Sequence, residues 1–219
     1  MRRRVRPRAS GCLRWDGVAS AGERPPILTT VRRGILGGTF DPPHWAHLVA
    51  GEAAFHDLGL EAVTFMPAGA PWQKAGREVG ASAHRWAMTR LAVEGVDYFE
   101  ADDREIRRDG WSYTIDTLDE FAGDDIVLVL GADAAAGLAS WHRFDEIIER
   151  VLIAVMPRPG TDRHVVEATG ARIAWLEVPE LPVSGTMLRQ RRAEGRSIRF
   201  LVRESVHAYI VEHRLYAQA

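Results

Sequence analysis

The sequence predicts an α/β protein, a doubly wound parallel sheet in a single domain. Three observations carry this. Strand-like and helix-like stretches alternate along the chain, the pattern of repeated strand–helix–strand units. Ile126-Val-Leu-Val-Leu130 is an unbroken β-branched and leucine run, typical of a strand buried on both faces. Gly37-Gly38, Pro67, Gly131 and Pro157 each close a predicted strand. Four loops then converge at the carboxyl edge of the sheet, where such folds bind ligands.

Taken in order, Arg33–Gly38 is the first strand and His47–Leu58 a helix with Leu48, Phe55 and Leu58 near one face. Glu61–Met66 is the second strand, and the glycine- and proline-bearing stretch Ala68–Gly80 a loop. Ser82 is the expected N-cap of a helix through Val93. Tyr98–Ala101 is a short strand, Thr114–Phe121 a helix, Ile126–Leu130 the central strand, and Phe144–Arg150 a further helix. Val151–Met156 and Arg172–Glu177 are the last strands. Ser184 opens a helix to Ala193 that Gly195 is suited to end, and the final helix covers about Glu204–Arg214.

Charge is unevenly placed. Residues 1–33 hold nine arginines against Asp16 and Glu23, a balance of +7, while the rest of the chain carries 19 bases and 28 acids, a balance of −9. An acidic main domain argues against a nucleic-acid partner, which needs a basic footprint. Residues 1–32 are expected to be a basic extension or the product of a misassigned start, with the domain in 33–219. No apolar run reaches the roughly 18 residues of a membrane span. The one cysteine, Cys12, gives no internal disulfide. A cytoplasmic chain is expected, and a homo-oligomer is compatible with it.

The chemistry concentrates in Gly34-Ile-Leu-Gly37-Gly38-Thr39-Phe40-Asp41-Pro-Pro-His44-Trp-Ala-His47-Leu48. Glycines admit a ligand close to the backbone, and a helix start offers unpaired N–H groups to an anion. His44 and His47 lie about one helical turn apart and can share a face. Imidazoles that are protonated, or that each donate one N–H, can offset charge building on a phosphate. There is no Gly-x-Gly-x-x-Gly fingerprint and no Walker loop, since the only lysine, Lys74, lacks the glycine pattern. A metal site on Asp41, His44 and His47 is the competing reading. It is disfavoured because zinc helices place a glutamate within the histidine pair, where this chain has Trp45 and Ala46; no metal ligands are assigned.

The string from Gly37 to Leu48 resembles the signature of the nucleotidylyltransferase superfamily. Further segments narrow the resemblance to bacterial nicotinate-mononucleotide adenylyltransferases. They are Pro67–Lys74, Ser112-Tyr-Thr114-Ile-Asp-Thr117, Gly131-Ala-Asp133 followed by Trp141, Val183-Ser184-Gly185-Thr186-Met-Leu-Arg189, and the terminal Tyr209–Tyr216. The resemblance spans about residues 33–216 and implies a Rossmann-like fold. It also implies a reaction in which ATP and nicotinate mononucleotide give deamido-NAD and pyrophosphate, with Mg²⁺ arriving on ATP. Two departures stand out. Ala46 replaces the glycine of the His-x-Gly-His motif, and Gly185 replaces the second serine of Ser-Ser-Thr.

The resemblance implies roles for particular residues. His44, His47 and Arg189 would act on the reacting phosphates. Gly37, Gly38, Thr39, Phe40, Gly131, Asp133, Ser184 and Thr186 would complete the ATP site, with Asp133 on the ribose. Lys74, Thr114 and Trp141 would take the mononucleotide, with Trp141 stacked on the pyridine ring. Arg158 at a strand end borders the adenine region. A sibling transferase with another phosphorylated acceptor and a non-catalytic nucleotide sensor on the same fold are the alternatives.

Overall fold

A computed structural model describes residues 31–70, 79–158 and 160–217. Its centre is a six-stranded sheet in the order β3-β2-β1-β4-β5-β6, built from β1 (Arg32–Gly38), β2 (Ala62–Pro67), β3 (Phe99–Ala101), β4 (Asp125–Gly131), β5 (Leu152–Met156) and β6 (Ile173–Trp175). Every pairing is parallel. The helices are α1 (Trp45–Leu58), α2 (Ser82–Val93), α3 (Arg104–Arg107), α4 (Thr114–Glu120), α5 (Ala132–Ala136), α6 (Phe144–Arg150), α7 (Arg163–Glu167), α8 (Gly185–Ala193) and α9 (Glu204–Glu212), with a 3₁₀ turn at Leu138–Ser140.

Strand alternation sorts the core into two layers. Leu36, Val127, Val129 and Ala154 face one cluster with residues of α1, α2, α8 and α9. Ile35, Leu128, Leu130 and Ile153 face the other, which includes residues of α4 to α7. Both faces of β4 are thus covered, as its unbroken apolar run requires. The chain runs outward from β1 to β3, then returns to β4 on the other side of β1. The strand order therefore reverses between β1 and β4, leaving a crevice at their carboxyl ends.

Local signals set several boundaries. Gly59 ends α1 in the left-handed region, with φ 60. The Ser184 side chain accepts from Met187 N and caps α8. Gly195, with φ 71, follows the C-cap Glu194. Ser82 is not the cap it was expected to be. It is the first residue of α2, and the cap position falls to Ala81, whose side chain has no oxygen to offer. The predicted Arg172–Glu177 strand shortens to three residues at the sheet edge, and the last helix ends at Glu212 rather than near Arg214. α3, α5 and α7, of four or five residues each, escape sequence periodicity because a single turn shows no repeat. β1 begins at Arg32, one residue ahead of the expected Arg33. Arg32 donates to Leu58 O at 2.7 Å and pairs with Asp125 at 3.1 Å.

Candidate active site

The crevice is a cleft of about 560 Å³. Leu36, Gly37, Gly38 and Thr39 form its β1 side, Val129, Leu130, Gly131 and Asp133 its β4 side, and Ala46, His47 and Ala50 of α1 part of its wall. Ser112, Thr114 and Trp141 line it too, as does Arg158 beyond β5. The cleft thus unites residues expected for ATP with two of those expected for the mononucleotide. A Cβ placed on Gly37 would meet no protein atom within 4 Å, so this position leaves its edge of the cleft open. Lys74 lies outside the described residues.

The two histidines are not equivalent. Their rings stack with centroids 3.8 Å apart, but His47 lines the cleft whereas His44 is 2% exposed behind it. Burial, with a smaller contribution from the Arg158 charge, lowers the His44 pKa to about 3. His44 is therefore a neutral ring at ordinary pH, so of the two ways expected for an imidazole to offset phosphate charge, protonation is closed to it. The His44 backbone N–H donates to His47 Nδ1 at 3.2 Å. That bond assigns the His47 acceptor to Nδ1 and its ring N–H to Nε2. The Phe40 ring meets His47 edge-on, with centroids 4.9 Å apart. Phe40 is otherwise a core residue, 1% exposed against Phe65, and it is not among the residues lining the cleft.

The helix start is also less open than expected. Trp45 N donates to Leu201 O at 3.4 Å and His47 N to His44 O at 2.9 Å. These partners take two of the N–H groups that a helix N-terminus usually leaves for an anion.

Asp41 anchors the turn between β1 and α1. It is 5% exposed, and both carboxylate oxygens are engaged. Oδ1 accepts from the Tyr216 hydroxyl at 2.6 Å and Oδ2 from Gly80 N at 3.0 Å. Its carbonyl accepts from Arg189 Nη1 at 2.7 Å. Arg189 also reaches Thr186 Oγ1 at 3.4 Å. The Ser184–Arg189 segment therefore braces the turn, and Ser184, Thr186 and Arg189 lie outside the cleft lining. Gly185 has a physical reason to be glycine here. A Cβ on it would lie 2.8 Å from the Asp41 carbonyl oxygen and 3.2 Å from Arg189 Nη1, so α8 starts this close to the turn only without a side chain.

On the β4 side, Asp133 is exposed at the cleft and faces Arg158 Nη1 at 3.5 Å. Trp141 packs against the second core cluster and also lines the cleft. Thr114 is the first residue of α4. Sequence reasoning assigned nothing to Arg85 and Glu105, both buried next to this site. Arg85 carried a signal. It falls on the same helix stripe as Met88, Thr89 and Ala92, an apolar face on which a charge is out of place. Glu105 is a carboxyl held above its usual range by burial, and its Oε1 accepts from Thr117 Oγ1 at 2.7 Å.

Fold and cleft together define an α/β protein of the doubly wound class whose switch-point cleft is bordered by a glycine turn and a histidine-bearing helix start. The description "Cytidylyltransferase-like" belongs to the family model that matches residues 35–191. A protein of Salinibacter ruber named probable nicotinate-nucleotide adenylyltransferase is 43% identical over 188 residues, covering 84% of this chain and 96% of its own. One of the same name from Pseudomonas putida is 40% identical over 210 residues, covering 85% and 95%. The chain belongs to the cytidylyltransferase-like family, on the branch of the nicotinate-nucleotide adenylyltransferases. The nicotinic acid mononucleotide adenylyltransferase of Plasmodium falciparum, solved in complex with NaAD, shares the fold with a TM-score of 0.72 at 16% identity, covering 85% of this chain and 97% of its own.

Proposed function

We propose that this protein transfers the adenylyl group of ATP to nicotinate mononucleotide, giving deamido-NAD and pyrophosphate. One observation carries the reading: a single cleft at the switch point joins the Gly37–Thr39 turn and His47 to the Ser112, Thr114 and Trp141 wall. A donor phosphate chain and an aromatic acceptor can then meet in line.

In the reaction, a phosphate oxygen of the mononucleotide attacks the α-phosphorus of ATP. The new P–O bond forms as the bond to the bridging oxygen of pyrophosphate breaks, and no protein nucleophile takes part. Catalysis of this kind is mostly positioning and charge stabilisation. His47 donates from Nε2 to the phosphate that gathers charge, and His44, buried and neutral, fixes the orientation of that ring. Asp133 takes the ribose hydroxyls and Trp141 stacks on the pyridine. Thr114, at the start of α4, meets the nicotinate carboxylate, and Lys74 meets the mononucleotide phosphate. Ser184, Thr186 and Arg189 hold the outer phosphates once ATP spans the Asp41 turn.

Mg²⁺ enters on the triphosphate. The carboxylates lining the cleft are Glu105 and Asp133, and among the described residues no three His, Cys, Asp or Glu side chains cluster as a metal cage. That donor set suits an ion that keeps phosphate and water ligands; its charge would offset that of the phosphates beside the N–H that His47 donates. The reading places the chain in the cytoplasm with two small-molecule substrates. No helix of the described residues is long and apolar enough to cross a membrane.

The test is pyrophosphate release from ATP with nicotinate mononucleotide, nicotinamide mononucleotide and phosphopantetheine offered separately. Turnover with nicotinate mononucleotide is expected. Turnover of phosphopantetheine alone would make the protein a sibling transferase, and ATP binding without release for any acceptor would make it a sensor.

A further inference from the structure

Arg85 is 2% exposed and, among the described residues, makes no hydrogen bond to a carboxylate. Its guanidinium instead spends its donors on backbone carbonyls. Nε donates to Gly80 O at 2.9 Å, Nη1 to Thr39 O at 3.0 Å and Ala68 O at 2.6 Å, and Nη2 to Gly69 O at 3.0 Å. These carbonyls belong to three separate pieces of chain: the turn after β1, the end of β2, and the approach to α2. Asp41 supplies balancing charge and is itself tied to Gly80 N.

We infer that Arg85 is a positioning residue that fixes the adenylyl-donor turn relative to the acceptor wall. A trans peptide points its C=O and the following N–H in opposite directions. By holding the Thr39, Ala68 and Gly69 carbonyls on one side, Arg85 turns the Phe40, Gly69 and Ala70 N–H groups to the other. The Gly69 N–H shows the result, donating to Ser112 Oγ at 3.0 Å. Ser112 N in turn donates to Ala70 O at 3.1 Å. The chain of bonds therefore runs from Thr39 on the donor side, through Arg85 and the Ala68–Ala70 segment, to Ser112, two residues before Thr114. The planar fork is what makes this work. It meets four carbonyls at fixed angles, whereas an ammonium carries three donors on one atom and cannot span them.

The inference rests on the adenylyl-transfer reading, so the wild type is measured first in the same pyrophosphate assay. An inactive wild type would refute that reading and leave Arg85 without a reaction to position. With an active wild type, Arg85→Lys and Arg85→Met are assayed well below their melting temperatures, with kcat normalised to folded protein and KM determined for both substrates. The expected result is a rise of at least about threefold in KM for both substrates, and a fall of at least about tenfold in kcat/KM. Lysine should recover only part of the loss. A role in stability alone would lower the melting temperature and the folded fraction while leaving both KM values near wild type, and that result would overturn the inference. Should neither variant fold, Ser112→Ala decides. It removes the Gly69 N–Ser112 Oγ bond of the relay, keeps the backbone bond from Ser112 N to Ala70 O, and leaves Arg85 in place. A raised KM for ATP, the substrate on the far side, supports the coupling. A change confined to the mononucleotide refutes it.

Discussion

The Tyr216 hydroxyl donates to Asp41 Oδ1 at 2.6 Å across 175 residues of sequence. The chain's last described segment is thereby locked to the turn that opens its first helix. Burial first, then the Asp41 charge and the hydrogen bond to it, raises the Tyr216 pKa, so the hydroxyl keeps its proton and remains the donor. Tyr216→Phe removes the donor and leaves a buried carboxylate oxygen without it. A loss of about 1–3 kcal/mol of stability is expected, measured as a lower urea midpoint at unchanged m. KM for ATP should rise too, because the same turn carries Thr39 at its start. A variant as stable as wild type would show that Asp41 finds another partner.

His47 is the imidazole in the cleft, and His44 is its support. His47→Ala should lower kcat by about 100-fold or more, the loss typical of one preorganised charge-stabilising donor. Near-normal turnover would remove His47 from the chemistry.

The buried neutral state of His44 links folding to protons. Its pKa is about 3 in the fold against 6.5 when unfolded, so the unfolded chain binds the proton first as pH falls. The stabilisation from a neutral His44 is complete above pH 6.5 and is lost as pH drops from there towards 3. The slope is at most about 1.4 kcal/mol per pH unit for one proton. Comparing urea midpoints of wild type and His44→Asn from pH 7 to pH 4 tests this. The variant's stability should fall less steeply, and equal slopes would contradict the assignment.

Ala46 stands where the resembled motif has glycine. Its side chain is 1% exposed and forms part of the cleft wall, yet the cleft keeps about 560 Å³. Ala46→Gly is expected to change kcat/KM less than about threefold, and to cost about 0.5–1 kcal/mol through helix propensity. A large gain in kcat/KM would mean that the methyl group obstructs the phosphates.

The sequence by itself determined the sheet and most of its helices, because burial on both faces of β4 demands an unbroken apolar run and because Ser184 and Gly195 mark α8 by local chemistry. It also singled out the Gly37–Leu48 stretch and its two histidines, since glycine turns and helix starts are written in consecutive residues. Only the tertiary structure decided how those histidines divide their work. His44 is neutral because the fold buries it and Arg158, 114 positions away, adds its charge. Likewise the helix stripe marks Arg85 as out of place, but what it binds is decided only when the ends of β1 and β2 bring their carbonyls to it. Asp41 resembles a turn former until Gly80, Arg189 and Tyr216 converge on it. Local signals depend on neighbours in sequence, whereas pKa and positioning depend on neighbours in space, which the doubly wound order of the strands supplies.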